Sequence, residues 1–492
     1  MRSVWLVTII MLFFYALNGQ GLEVQRKPDL TIHKKRTLKK TIIVKKKEVK
    51  KATPTKKTLL RDQDTTTKKQ EEKHGIYSDI MAHYKDDQEE DEDYREARTS
   101  LFTKNDLSEM GGDVKSVIKK HHFNIAGDPH SVQGIPIIYT SKSTGFNIGA
   151  RISLANLKYE DPYTYKISFQ YWASDRGAKK HEIALDIPHF FSKSWRARLS
   201  YSYPKTITEK YFGTGNDSVY NRSFTDPDSP NFLSRTYYQY TSTYPKLSFD
   251  LEYKIWKEVF SIYSGIALEK ATIEPQNEDG RSKMYTDRPY GYGGGKTNYI
   301  KGGIKYDSRD FEFNPMSGIT IAATYTNHGK FIKSDYAHSN INLVYMGFFS
   351  FWRYFTFSQR LMIDQMWGDL PFFALSGFRS YNDYGGLGGQ DFLRGAPSYR
   401  YVDNLKFANQ FELRTRVFYG KALGQQMMIH FNPFWDMGRV WDRKKKISLT
   451  HFHHSFGNEF RFTWNESFVT SITFGKSGSG ISTYLTFGET FI

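Results

Sequence analysis

The sequence predicts an all-β protein: a transmembrane antiparallel β-barrel of about sixteen strands, preceded by a charged N-terminal arm expected to be disordered. Three observations carry that expectation. Aromatic residues make up 16% of the chain, with 34 Tyr and 38 Phe, and such side chains favour pleated, half-buried strands and form the girdles of membrane barrels. From Pro136 onward apolar and polar residues alternate in short runs, among them Lys166-Ile167-Ser168-Phe169-Gln170-Tyr171-Trp172, Arg196-Ala197-Arg198-Leu199-Ser200-Tyr201 and Ile472-Thr473-Phe474. Alternation alone fits a soluble sandwich as well as a membrane barrel. The connections decide between them, because short turns alternate with long excursions, as periplasmic turns and extracellular loops do.

At the N-terminus, Met1-Arg2 precedes an apolar run from Val4 to Leu17, and Asn18, Gly19 and Gly21 follow it. The run is shorter than the ~20 residues that span a bilayer as a helix, so residues 1–21 are expected to be a signal peptide cleaved between Asn18 and Leu22. An uncleaved anchor is the alternative. Mean hydropathy is −0.60, and no internal apolar stretch approaches ~20 residues, which excludes a bundle of membrane helices. Cysteine is absent, which removes disulfides, thiolate metal sites and cysteine nucleophiles.

The net charge of +17 is concentrated near the start. Residues 26–57 hold twelve Lys and two Arg against Asp29 and Glu48, and an acidic block runs from Asp86 to Asp93. Such a segment has few core-forming residues to offset its chain entropy, so residues 22–110 are expected to be a disordered periplasmic arm and 111–135 a linker. In a secreted chain the basic part would meet outer-membrane lipid, lipopolysaccharide or cell-wall polymer; no nucleic acid is expected as partner. A solvated spacer is the other reading.

The barrel is expected over residues 136–492. It begins with a short strand at Pro136 to Ser141 and a tight turn at Lys142 to Gly145. Long excursions fall at Ile207 to Arg235, Ala271 to Lys296 and Leu375 to Phe407. Turns fall at Pro188 to Ser194, Trp256 to Glu258, Asn314 to Gly318, Trp352 to Tyr354 and Asn465 to Ser467. The strand total is even, as closure without an edge requires.

The C-terminal third carries a resemblance to a known family. Asn432-Pro433-Phe434-Trp435-Asp436-Met437-Gly438-Arg439-Val440-Trp441-Asp442 resembles the F-W-D-x-G-x-V-W strand of the BamA/TamA family of outer-membrane assembly barrels, the bacterial surface-antigen family. Phe392-Leu393-Arg394-Gly395, beside Gly385, Gly386, Gly388 and Gly389, is similar to the family's R-G-F/Y loop motif. Ala396 stands where the aromatic belongs, so that member is either missing or supplied by Tyr399. Gln410-Phe411-Glu412-Leu413-Arg414 is similar to the acidic strand after the loop.

The resemblance implies a lumenal loop anchor in which Arg394 and Gly395 meet Glu412, Asp436 and Gly438. Tyr306-Asp307-Ser308-Arg309-Asp310 with Asn314-Pro315-Met316-Ser317-Gly318 is similar to the family's strand end and periplasmic turn, which implies structural roles for Asp307, Arg309, Pro315 and Gly318. The ending from Thr483 to Ile492 is similar to a C-terminal β-signal, with Gly488, Phe491 and Ile492, although Ile stands at the final position. The family's polypeptide-transport-associated domains have no counterpart pattern in residues 22–135.

The sequence carries no motif from which catalytic chemistry is expected. Gly475-Lys476-Ser477 lacks the preceding glycine and following helix of a phosphate loop, since Thr470 stands where the first glycine belongs. Gly291 to Gly295 lacks a strand-to-helix context. His451, His453 and His454 have no carboxylate at ligand spacing and read as loop-edge residues. The expectation is therefore no enzyme, no metal, no cofactor and a monomeric barrel. The implied function is assistance to folding or insertion of unfolded outer-membrane protein clients; the alternative is a pore or surface-exposed structural barrel.

Overall fold

The computed structural model describes residues 122–487, apart from short segments at 142, 159–162, 257–258, 277–280, 311–314, 352–353, 423–424, 443–446 and 465–467. The expected signal peptide, the arm and the β-signal residues Gly488, Phe491 and Ile492 lie outside the described residues.

In chain order the strands are β1 (His122–Ile125), β2 (Asp128–Ser141), β3 (Gly145–Asn156), β4 (Tyr165–Ser174), β5 (Lys179–Ile187), β6 (Trp195–Lys210), β7 (Gln239–Thr243), β8 (Lys246–Trp256), β9 (Phe260–Pro275), β10 (Gly294–Lys296) and β11 (Tyr299–Asp307). There follow β12 (Gly318–His328), β13 (His338–Phe351), β14 (Phe355–Gly368), β15 (Phe378–Arg379), β16 (Asp383–Tyr384), β17 (Leu405–Ala422), β18 (Gln425–Trp441), β19 (His453–Trp464), β20 (Phe468–Ser477) and β21 (Gly480–Phe487). All but β15 and β16 belong to one antiparallel sheet in which chain neighbours pair.

Two of its strands are interrupted. β7 and β8 both pair with β6 and β9 on either side of Tyr244-Pro245, where proline has no N–H to give to a ladder. β10 and β11 both pair with β9 on either side of Thr297-Asn298, where the side-chain oxygen of Asn298 accepts the Glu269 N–H at 3.0 Å in place of a backbone partner. With these joined and the four-residue β1 set aside, the sheet has sixteen strands, the number the sequence predicts.

The burial pattern is inside-out compared with a soluble protein. On β8 and β9, Leu247, Phe249, Ile262, Ile266 and Leu268 are exposed, while Glu252, Ser261 and Glu269 are buried. On β18 and β19, Trp435, Phe456 and Phe460 are exposed, while Asn432, Asp436, Glu459 and Arg461 are buried. A continuous outward apolar face over a polar interior is the arrangement of a strand barrel in lipid. The fold is a transmembrane antiparallel β-barrel.

The turns at 188–194 and 308–317 leave the end opposite to the long connections at 211–238, 276–293 and 369–404, which matches the predicted alternation. Two boundaries differ from expectation. The first long strand starts at Asp128 and not Pro136, and it pairs with β3 from His130↔Asn156 onward. Pro129 and Gly134 disguise it; proline is tolerated here because the strand lies at the start of the sheet, where a missing donor costs little. The excursions are also displaced by a few residues, because strands such as β9 run on past the apolar belt as Lys270, Thr272 and Glu274.

Candidate functional site

The connection from 369 to 404 is the longest between paired strands, and it folds into the barrel. Its polar groups meet inward-facing residues of nearly every strand from β8 to β21. Lys246 of β8 pairs with Asp383. Arg379 binds Glu269 of β9 at 2.8 Å. Lys301 of β11 donates to the Tyr381 carbonyl at 3.0 Å, Asn340 of β13 to the Arg379 carbonyl at 3.2 Å, and Arg360 of β14 to the Asp391 carbonyl at 2.6 Å. Burial alone would raise the Asp383 carboxyl, but the neighbouring Lys246 and Arg379 cations outweigh it and hold the group well below the usual carboxylate range. The apolar side of the connection, Phe378, Tyr384, Leu387, Phe392, Leu393 and Ala396, packs on Met346, Met362, Ala408 and Val440 of the wall.

At the far end of this connection lies the predicted arginine. Arg394 is fully buried. Its Nη1 donates to Glu412 Oε2 at 2.8 Å, its Nη2 to Asp436 Oδ1 at 2.8 Å and its Nε to Asp436 Oδ2 at 3.1 Å. Its backbone N–H also donates to Asp436 Oδ2, at 2.9 Å. The two carboxylates belong to adjacent strands, β17 and β18, and Asp436 lies opposite Gln410, one inward position from Glu412. A guanidinium fork matches two such acceptors, and charge-assisted bonds of this kind are stronger than neutral ones.

Several partners escaped the sequence reading. Glu459 of β19 stands 3.7 Å from Arg394 and pairs with Arg461 at 2.7 Å. Arg461 reaches Glu412 Oε1 at 3.3 Å, and Arg414 reaches the same oxygen at 3.1 Å. Three guanidinium groups and three carboxylates therefore balance in a buried site, as the cost of desolvation requires. The sequence signal was present in Glu412-x-Arg414 and Glu459-x-Arg461, whose two-residue spacing places each pair on one strand face.

The aromatic beside the arginine is Phe434, with the Arg394 Cζ 3.6 Å from its ring centroid. Tyr399 does not take that place; it packs against Met366, Leu375 and Val402. Phe434 fits because it lies two residues from Asp436, on the same face of β18.

Glycines let the connection approach the wall. A Cβ on Gly438 would stand 2.7 Å from Leu387 Cδ2. A Cβ on Gly395 would stand 2.3 Å from the Lys476 carbonyl carbon, and one on Gly475 would stand 2.4 Å from the Arg394 carbonyl oxygen. The Gly395 carbonyl accepts from Ser477 Oγ at 2.9 Å and Ser482 Oγ at 3.3 Å, and Tyr484 Oη donates to the Ala396 carbonyl at 2.9 Å. Gly475-Lys476-Ser477 is thus the seat of the loop backbone on β20.

The predicted turn is built as a compact unit. Arg309 forms a two-pronged pair with Asp307, at 2.9 and 2.8 Å, and Thr320 adds a bond of 3.0 Å. Gly318 has φ of 96°, and a Cβ there would stand 2.2 Å from the Ser308 carbonyl oxygen. The Pro315 carbonyl accepts from Arg414 Nη1 at 3.1 Å, which ties this turn to the buried ion cluster.

The three histidines do not converge. His453 stacks on Tyr401 at 3.6 Å, His454 lies on the outer face beside Trp435, and His451 sits in the preceding connection with φ of 61°. Among the described residues no group of three or more His, Asp or Glu is placed to hold a metal ion.

No protein-family model matches the sequence, and no curated protein matches it. Solved structures do. BamA from Haemophilus ducreyi, in a form lacking POTRA domains 1–3, is similar at 12% identity and a TM-score of 0.48, over 73% of this chain and 70% of that one. CdiB from Escherichia coli is similar at 10% identity and a TM-score of 0.45, over 73% of this chain and 62% of that one. CdiB from Acinetobacter baumannii is similar at 11% identity and a TM-score of 0.42, over 73% and 59%. The chain thus spans about three fifths of the length of the two CdiB structures. At such identity no side-chain role passes from these proteins to this one.

Proposed function

We propose that this chain is an outer-membrane barrel that assists the folding or insertion of other outer-membrane proteins, with its long connections facing outward and the 22–110 arm in the periplasm. The observation that carries the reading is the buried fork of Arg394 on Glu412 and Asp436. It holds the 369–404 connection across the lumen, where a diffusion pore needs open water. The resemblance of residues 392–395 and 432–442 to the surface-antigen family supports the same role.

A further support is the sheet's seam. Among the described residues no backbone pairing joins β2 to β21, and β1 covers only Asp128 to Ser131 of β2. Free strand edges accept further strands through main-chain hydrogen bonds, which suits a client presented as an extended segment. On this reading the protein works without catalysis or cofactor, and its partners are unfolded barrel clients and the surrounding lipid, lipopolysaccharide included.

A second reading, a pore or surface-exposed structural barrel, draws on the cleft that remains between Tyr381 and the wall residues Arg196, Arg198, Asp250, Glu252 and Lys305. Depletion of the protein separates the two. A broad fall in unrelated outer-membrane barrels is expected from an assembly role, and unchanged barrel levels would overturn it.

A further inference from the structure

Four lysines stand on the outer face of the barrel where its polarity changes, and the strand register sets them against each other. Lys179 of β5 lies directly opposite Lys205 of β6. Lys270 of β9 lies directly opposite Lys296 of β10. Both pairs point outward, since Ile183 and Tyr201 on the first two strands, and Ile266 and Leu268 on β9, share their face and are exposed. Both lie in the half of the barrel nearer the long connections.

Like charges directly opposite on neighbouring strands destabilise a sheet, with Cβ atoms only about 5 Å apart. The described residues offer these ammonium groups no counter-charge. Among the described residues none of the four has a carboxylate side-chain partner. Glu274, the next outward acid on β9, is four residues beyond Lys270, and Asp335 accepts the backbone N–H of Lys296 at 2.7 Å.

The surroundings specify what would relieve the repulsion. Beneath the first pair, Tyr171, His181 and Tyr203 form an outward stack with ring centroids 4.7 and 6.1 Å apart, and the Lys179 ammonium lies over the Tyr203 ring at 5.3 Å. Below that stack come Phe169, Ile183 and Leu199, all exposed. Beneath the second pair come Leu268 and Ile266. The order cation, aromatic, apolar matches the headgroup, interface and hydrocarbon levels of a leaflet. Rows at strand spacing of about 4.8 Å put the two pairs within reach of one large headgroup or two small ones.

We infer that Lys179, Lys205, Lys270 and Lys296 form a binding site for phosphate-bearing lipid headgroups in the leaflet on the long-connection side. The inference rests on the membrane-spanning fold and the outward direction of those connections, and it holds whether or not the chain assists other barrels. Phosphate monoesters carry nearly two negative charges, so one group spans a lysine pair, and the acyl chains lie on the apolar belt below.

The test uses the full chain in nanodiscs of zwitterionic phosphatidylcholine doped with bis-phosphorylated lipid A, with retained lipid counted by native mass spectrometry. Replacing all four lysines by Gln is expected to weaken retention by roughly tenfold or more, because each basic side chain near an anionic surface adds to the attraction. The four-Arg variant is expected to keep it. Heat-modifiable gel mobility checks that each variant is folded. Lipid A stripped of phosphate is expected to be lost from the wild type, and excess inorganic phosphate to compete poorly, which marks the lipid as the ligand.

Equal retention by the wild type and the folded Gln variant would overturn the site, as would equal retention of dephosphorylated lipid. Efficient displacement by inorganic phosphate would replace a lipid site with a simple anion site. Failure of the wild type to enter the discs would contradict the membrane reading itself.

Discussion

Gly475 on β20 and Gly395 in the 369–404 connection meet backbone against backbone: a Cβ on Gly475 would stand 2.7 Å from the Gly395 nitrogen and 2.4 Å from the Arg394 carbonyl oxygen. Neither backbone can give way cheaply, because β20 is held in the ladder on both sides and the loop is held by the Arg394 fork. Gly475→Ala is therefore expected to unseat the loop and lower the midpoint of heat-modifiable mobility, and Gly475→Val to do so further. Gly478→Ala, where an added Cβ meets nothing within 4 Å, is the control and is expected to leave the midpoint unchanged. Equal midpoints for all three would contradict the close approach.

Arg394→Ala strands Asp436 in a buried site, while Glu412 keeps Arg414 and Arg461. Removing one partner of a buried pair costs about 3–5 kcal/mol, much of it the burden of the unpaired charge. The double variant Arg394→Ala/Asp436→Ala is expected to cost clearly less than the sum of the singles, because the second change removes a charge that the first left unpaired. Urea titration of the folded barrel in detergent gives the three values. Strict additivity would mean that the two residues do not share an interaction.

The connection between the ion cluster and the short turn makes a separate claim. Arg414 donates to Glu412 Oε1 at 3.1 Å and to the Pro315 carbonyl at 3.1 Å. Arg414→Met keeps the stem but removes both bonds, so amide exchange is expected to quicken at Met316, Ser317 and Gly318 as well as around Arg394. Faster exchange confined to the loop would show that the turn is held without this link.

Side-chain direction predicts opposite outcomes for similar substitutions. Ile266 faces lipid and Ser168 faces the lumen, where its hydroxyl meets Ser153 at 3.0 Å. Ile266→Arg is expected to cost ~2–4 kcal/mol if it lies near the midplane, and Ser168→Arg much less. Folding yield into liposomes of matched thickness reports both. A reversed order would invert the assignment of faces.

The number and phase of the strands were legible in the sequence because both depend on local quantities, period-two alternation and loop length. Trp172 and Arg196 could be assigned to strands without knowing what lay across the barrel. Arg394, Glu412 and Asp436 were legible through a resemblance of motifs. Glu459 and Arg461 showed only the two-residue spacing of a charged strand face, which looks the same whether it meets water or a buried arginine, and only the folded loop brings β19 to Arg394. Phe434 was hidden for a similar reason. The eye goes to the residue after Arg394-Gly395, while the ring that covers the guanidinium belongs to another strand. The start of β2 was concealed by Pro129 and Gly134, whose low strand propensity is overridden by the pairing of His130 with Asn156, Val132 with Leu154 and Gly134 with Ile152.

The most direct test of the loop-filled barrel is single-channel recording of the purified chain in a planar bilayer, wild type beside Arg394→Ala. Small, flickering conductance in the wild type that widens when Arg394 is removed is the predicted result. A wide, steady open pore in the wild type, unchanged in Arg394→Ala, would contradict a lumen held closed by this arginine.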